Sequence, residues 1–214
     1  LIIGDSCVDK FVYGECNRIC PEAPVPVFNP VGSTRNDGMA KNVFNNLKSL
    51  APNWDIDFIT NSNQIMKTRL VDVRIDDNDQ CNRFTDLDKL EEYDAVIISD
   101  YNKGFLTEED IEYLAKKYPL TFIDSKKIFG GWIMGTSFIK INQPEYEKNK
   151  ENLVDYKGQL IVTLGEKGVQ WGDLIHPPSR QAEVSDLSGA GDTFFASFVY
   201  HYLTHQSISN SIYF

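Results

Sequence analysis

Asp186-Leu187-Ser188-Gly189-Ala190-Gly191-Asp192-Thr193-Phe194 places two glycines one residue apart, directly before an acid. Phe194, Phe195, Phe198, Val199, Tyr202 and Leu203 follow at helical spacing, so Asp192 belongs to the first turn of an amphipathic helix. Glycine lets the backbone turn sharply and come close to a ligand. The N–H groups of such a turn have no intrahelical partners and lie at the positive end of the helix dipole, a natural seat for a phosphate or a developing oxyanion. Asp192 beside that seat can act as base for a hydroxyl that attacks phosphorus. An ordinary glycine turn followed by a first-turn acid accounts for the same residues equally well.

The chain has 214 residues, of which 42% are hydrophobic and 24% charged, enough for one domain with a substantial core. A formal net charge of −10 argues against non-specific binding to nucleic acid or to an anionic membrane. A phosphorylated ligand remains compatible with that charge where a few cations converge. Cys16 and Cys20 have half of a zinc-like spacing, but neither Cys7, Cys81 nor the three histidines supply a second close pair. Reduced thiols are the expectation, and with them a cytoplasmic setting. No run of about 18 apolar residues occurs, so no helical membrane span is expected. The chain opens inside an apparent strand without an initiator Met, which points to a natural N-terminus further upstream.

Short apolar runs at Leu1–Gly4, Ile56–Thr60, Ala95–Ser99, Thr121–Asp124, Phe138–Asn142 and Leu160–Thr163 read as buried parallel strands. Between them, Met39–Leu50 carries Val43, Phe44, Leu47 and Leu50 on one helical face, and Thr107 with Asp110 forms a capping-box-like start for Thr107–Lys117. This alternation predicts an α/β layered sheet with helices on both faces. Ligands in such sheets bind at the carboxyl ends of the strands, where Asp5, Asp100, Asp124 and Asn142 fall. Two segments break the rhythm. Phe11–Val31, with Pro21, Pro24, Pro26 and Pro30, reads as an extended edge. Met66–Ile75 alternates as a strand, and Asp76–Asp79 reads as a turn into Gln80–Phe84, which gives a hairpin. Both look like parts of a small β flap outside the main sheet.

The residues resemble the ribokinase-like (PfkB) carbohydrate kinases over most of the chain. Ser188-Gly189-Ala190-Gly191-Asp192 is similar to that family's C-terminal signature, Asn142-Gln143-Pro144-Glu145 to its NxxE motif, and Thr163-Leu164-Gly165-Glu166-Lys167-Gly168 to its nucleotide-side strand and turn. Gly38-Met39-Ala40-Lys41-Asn42 resembles the substrate-side glycine motif, with Met39 where a second glycine is usual. Within the family, the proline-rich segment Arg18–Val27, Lys67-Thr68-Arg69 and Ser99–Gly104 most resemble the D-glycero-β-D-manno-heptose 7-phosphate kinase group. No HxGH nucleotidyltransferase signature occurs, so the second activity fused to some relatives is not expected from these residues.

The resemblance implies a three-layer sandwich with a mostly parallel central sheet and a small β-sheet lid. Residues 1–214 would then form a single kinase domain with lid segments at about 10–36 and 64–86. That domain is expected to be incomplete, since the connections between Thr60 and Met66 and between Glu145 and Leu160 are short and the chain stops at Phe214, before the family's last helices. It further implies ATP and Mg²⁺ as cofactors, a sugar phosphate as acceptor and a homodimer formed through the lid, with no nucleic-acid or membrane partner. Asp192 would be the catalytic base, and Gly189, Ala190 and Gly191 would offer N–H groups to the transferred phosphoryl. Asn142 and Glu145 would organise Mg²⁺ through water, and Asn142, Thr163, Gly165 and Gly168 would line the nucleotide. Asp9, Gly38 and Asn42 would meet sugar hydroxyls, while Lys67, Arg69 and, on the partner strand, Arg83 would clamp the phosphate that the sugar already carries. Asp100 and Lys103 either touch ligand or fix a loop. A kinase of an unphosphorylated sugar or nucleoside, and a non-catalytic binder with this fold, are the alternatives.

Overall fold

Runs such as Ile2-Ile3 and Val96-Ile97-Ile98 can lose water from both faces only inside a layered sheet. The computed structural model, which describes residues 1–70, 73–77, 80–178 and 188–213 (for 73–77 the backbone alone), places them in one. In chain order the elements are β1 (Ile2–Gly4), β2 (Ser6–Ile19), β3 (Pro26–Met39), α1 (Ala40–Leu50), β4 (Phe58–Thr60), β5 (Ile65–Leu70) and β6 (Val73–Asp77). Then come β7 (Val96–Asp100), α2 (Glu108–Lys117), β8 (Thr121–Ser125), β9 (Phe138–Asn142), α3 (Gln143–Asn149) and β10 (Gln159–Thr163). The last are β11 (Val169–Trp171), β12 (Leu174–His176), α4 (Ala190–His205) and α5 (Ile208–Ile212).

The main sheet runs β12-β11-β10-β9-β8-β7-β1-β4, parallel from β4 through β10 and finished by the antiparallel pair β11 and β12. Strand side chains alternate between faces, and the core divides accordingly. Ile3, Val96, Ile98, Ile123, Ile139, Ile141 and Val162 pack with Ile111 and Leu114 of α2. Ile2, Ile97, Phe122, Phe138 and Ile161 pack on the other side with Val43 and Leu47 of α1 and Phe195, Phe198 and Val199 of α4. The three-layer α/β arrangement read from the sequence is therefore present, and the capping box at Thr107 and Asp110 forms.

A separate sheet of four strands, ordered β3-β2-β5-β6, leaves the main sheet between β1 and β7. The segment read as one extended edge is two long antiparallel strands, β2 and β3. Pro26 opens β3, an edge strand, and Pro30 stands opposite Gly14 at a register shift, positions that tolerate a residue without an N–H. The hairpin expected from Met66–Phe84 is corrected. β5 reverses into β6 with Leu70 opposite Val73, so Asp76 belongs to a strand and Gln80–Phe84 to none. The reversal itself falls on residues 71–72 and the end of the acidic run on 78–79, outside the described residues. Two-residue alternation continues through both strands and so does not mark where a chain turns back.

Met39 ends β3 and caps α1 with φ 59° and ψ −136°, a conformation that side chains other than glycine rarely adopt. Its side chain is buried with Cys7 and Ile65, which offsets the strain. Met39→Ala should lose this packing and keep the strain, whereas Met39→Gly should lose the packing and release the strain. The glycine variant should therefore be the more stable of the two, by about 1 kcal/mol in denaturant titrations. An alanine variant of equal or greater stability would contradict the strain.

Candidate active site

The chain runs from β1 to β4 on one side and returns to β7 on the other, which makes the carboxyl end of β1 the switch point of the sheet. Asp5 fills it. Fully buried, it accepts the N–H groups of Tyr101 at 2.6 Å, Phe105 at 3.3 Å and Lys103 at 3.4 Å, and the Cys81 thiol at 3.3 Å. Asp5 thus shapes the loop after β7. Asp100 fixes the same loop, accepting from Lys127 Nζ at 2.8 and 2.9 Å, from the Ser125 hydroxyl and from the Asn102 N–H at 3.1 Å.

Above this floor the first turns of α1 and α4 meet. Gly189, in left-handed conformation at φ 78°, lies so close to α1 that a Cβ there would stand 2.7 Å from Asn42 Nδ2. Asn42 Nδ2 donates to Asp192 Oδ2 at 3.2 Å, and the Tyr101 hydroxyl donates to Oδ1 at 2.6 Å. Asp192 is buried. Burial pushes its carboxyl above the ordinary value, against the downward pull of the Tyr101 and Asn42 hydrogen bonds; Asp124 adds to the rise and Lys140 opposes it. A buried carboxylate of raised basicity at the junction of two helix N-termini has the properties of a general base beside an anion seat.

The cations of that seat come from neighbouring strand ends. Lys140 of β9 and Lys126 after β8 both donate to buried Asp124, and Lys126 reaches Glu145 Oε1 at 2.7 Å. Burial raises the Asp124 carboxyl, but Lys140 and Lys126 outweigh it and hold the group below its usual range. A Cβ on Gly191 would lie 3.0 Å from Lys140 Nζ, so this ammonium sits directly under the α4 N-terminus. A cleft of about 560 Å³ opens here, lined by Tyr101, Lys126, Lys140, Asn142, Gly165 and Asp192 among others. The larger hollow of about 690 Å³ lies at the amino ends of the strands, near Leu1, Ala95 and Leu120, and its acids Asp55, Asp57, Glu91, Glu92 and Asp94 would repel phosphate.

Asn142 and Glu145 form a reciprocal capping box for α3, with each side chain 2.9 Å from the other's backbone N–H. Both Glu145 carboxylate oxygens and the Asn142 amide oxygen are engaged, by the cap and by Lys126, so these residues suit an ion that keeps its waters rather than one they would ligate directly. Among the described residues no group of three or more His, Cys, Asp or Glu stands ready to hold a metal directly. Thr163 ends β10 and Gly165, at φ 61°, borders open space. Gly168, at φ 94°, is held to glycine both by its backbone conformation and by packing, since a Cβ there would stand 2.0 Å from the His176 carbonyl oxygen.

On the lid side Asp9 accepts from Arg69 Nη2 at 3.4 Å, and Gly38 leaves room for Asp9, whose Oδ2 would be 2.4 Å from a Cβ at that position. Lys67 is buried, with its ammonium 5.0 Å from the centre of the Tyr101 ring. A second hollow of about 460 Å³ runs along Val8, Arg35, Asn36, Asn42, Asn45 and Gln64, a carboxamide-rich lining beside Asn42. Arg83 does not return on a strand beside Lys67 and Arg69. Its guanidinium forks onto Asp110 at the start of α2, at 2.7 and 3.1 Å. Sequence reading gave no role to Tyr101, Lys126 or Lys140. Lys140 carried a visible signal, a cation inside the apolar run Phe138–Asn142 that needs a buried partner.

Residues 132–214 match the pfkB family carbohydrate kinase model. The bifunctional protein HldE of Helicobacter pylori strain J99 is 28% identical over an alignment that takes in 99% of this chain and 59% of the relative, so the chain spans well under two thirds of that protein's length. Among solved structures, the ribokinase of Thermotoga maritima matches with a TM-score of 0.73 at 14% identity, over 99% of this chain and 88% of the other. The Arabidopsis thaliana ribokinase complexed with ribose and ATP matches at 0.68 and 14%, over 99% and 88%. These likenesses show the ribokinase-like fold. No helix among the described residues is long and apolar enough to cross a membrane.

The Arg83 placement is testable. Arg83 holds the Asp110 carboxyl below its ordinary range, against the rise from burial and together with hydrogen bonds from Thr107. A depressed folded-state pKa contributes stability at neutral pH that is lost as pH falls through it. Arg83→Ala should therefore lower the melting temperature at pH 7, with the difference from wild type vanishing in acid, and should leave the acceptor KM within about twofold. A tenfold rise in KM (roughly) would return Arg83 to the acceptor site.

Proposed function

We propose that this chain, which has the ribokinase-like fold and a segment matching the pfkB family carbohydrate kinase model, is a phosphotransferase with an alcohol acceptor that phosphorylates the anomeric hydroxyl of a heptose 7-phosphate from ATP. The product would be the 1,7-bisphosphate, a precursor for bacterial surface glycans. The observation that carries this reading is the buried Asp192 carboxylate between the N-termini of α1 and α4, with Lys140 beneath. The likeness to HldE supports the heptose.

In this mechanism the acceptor oxygen forms a bond to the γ-phosphorus as the bond from that phosphorus to the bridging oxygen of ADP breaks. Asp192 takes the acceptor's proton. The N–H groups of Gly189, Ala190 and Gly191, with Lys140 and Lys126, meet charge on the transferred phosphoryl. Thr163 and Gly165 line the nucleotide, and Asn142 and Glu145 would hold Mg²⁺ through its waters, an ion that would supply charge neutralisation for the phosphates. Asp9, Gly38 and Asn42 receive sugar hydroxyls, and Lys67 and Arg69 the sugar's own phosphate. One observation favours a second reading, an acceptor without phosphate: Arg69 is already paired to Asp9. Acceptor preference decides between them.

Lid association belongs to the same proposal. The outer parts of β2 and β3 leave Tyr13 53%, Ile19 63% and Val31 75% exposed, and a two-stranded arm with apolar exposure is marginal alone. Pairing with a second copy would cover it, and the reaction would take place in the cytoplasm. Sedimentation of the intact protein should give a dimer, weakened by Val31→Lys; a monomer at about 10 μM would contradict lid pairing. Asp192→Asn should lower kcat by roughly 10²- to 10⁴-fold with little change in nucleotide binding. Retention of most of the wild-type rate would remove Asp192 as base.

A further inference from the structure

Tyr101 stands where the parts of the site cross. Asp5 holds its backbone N–H at 2.6 Å, and its hydroxyl donates to Asp192 Oδ1 at the same distance. The ammonium groups of Lys67, from the small sheet, and Lys126, from the cation row, lie over its ring at 5.0 and 5.2 Å from the centre. The ring also packs against the cluster of Cys7, Met39 and Ile65. Backbone, ring and hydroxyl are thus each held by a different part of the molecule.

We propose that Tyr101 is a positioning residue for the transfer: its hydroxyl fixes the Asp192 carboxylate so that Oδ2, the oxygen beside Asn42, faces the acceptor hydroxyl. The proposal rests on the reading of Asp192 as base. An aspartate carboxyl rotates in broad wells about its last torsion, so a single fixed orientation needs a strong external donor. Tyr101 supplies it, because a short O–H to carboxylate hydrogen bond is among the stronger kinds. Asn42, at 3.2 Å, is the looser of the two partners and leaves lone pairs on Oδ2 for a substrate proton.

Tyr101 keeps its own proton throughout. Burial, then the Asp192 and Asp124 carboxylates, push its hydroxyl well above the ordinary tyrosine range, so it neither competes as a base nor donates its proton outright. The groups that face Asp192 are Tyr101 from the loop after β7, neutral Asn42 from α1, Asp124 from β8, Lys140 from β9 and, from β2, Cys7, a thiol held neutral at about 12. Of these the Tyr101 hydrogen bond is the foremost one lowering the Asp192 pKa. Its removal raises that pKa, so more base is protonated at a given pH and the acidic limb of the rate profile moves upward.

The test compares Tyr101→Phe, which keeps the ring under both ammonium groups, with Tyr101→Ala and Asp192→Asn in the intact protein. ATP and heptose 7-phosphate, or the fastest acceptor of a sugar panel, are the substrates. Tyr101→Phe should lower kcat about tenfold, leave both KM values within about twofold and shift the acidic limb up by roughly half to one pH unit. If Tyr101→Phe matches wild type in rate and pH profile while Tyr101→Ala is impaired, Tyr101 only packs and the proposal is overturned. An active Asp192→Asn instead overturns the base reading itself, whatever Tyr101 does.

Discussion

The contact between Asn42 and Asp192, one residue in the first turn of each of two helices, is the constraint on which the rest depends. It exists only because position 189 lacks a Cβ and turns left-handed, which lets α4 begin against α1. Two helix N-termini then point their unpaired N–H groups into one volume. Positive potential from both dipoles falls where a buried acid has been placed. The lid emerges from the same junction, since β3 runs straight into α1 through Met39.

Around this point charges alternate. Lys140, Asp124, Lys126 and Glu145 form a chain of ion pairs from beneath α4 to the start of α3, much of it buried. Such a row gains little net stability over an apolar packing, because desolvation offsets attraction. Its value lies in fixed positions: no ammonium can leave without stranding a carboxylate. The floor of the cleft therefore holds two ammonium groups at fixed positions, each paired with a carboxylate, that need no reorganisation when a phosphate arrives.

Much of this was legible in the residues. The six parallel strands, the Thr107 cap and the strand-end acids follow from short continuous apolar runs and capping chemistry, which are local. Pairing partners are not local. Asp5 and Asp100 sit at strand ends as ligand-binding acids do, yet loop N–H groups and Lys127 occupy them. Arg83 looked free to serve a phosphate and is bound to Asp110, a residue read only as a helix cap. Tyr101 lies in a segment that carries the resemblance but received no role, because a tyrosine after a strand has no distinctive pattern; its importance appears only when Asp192, far along the chain, comes within 2.6 Å.

The most direct test of the account is the position of the transferred phosphate. The intact protein would be incubated with ATP, Mg²⁺ and heptose 7-phosphate beside unphosphorylated sugars and nucleosides, and the products read by ³¹P NMR. The account predicts a new anomeric phosphate coupled to the C1 proton of the heptose, with the 7-phosphate unchanged. Phosphate on a primary hydroxyl, preferential turnover of an unphosphorylated acceptor, or ligand binding without any transfer would contradict it.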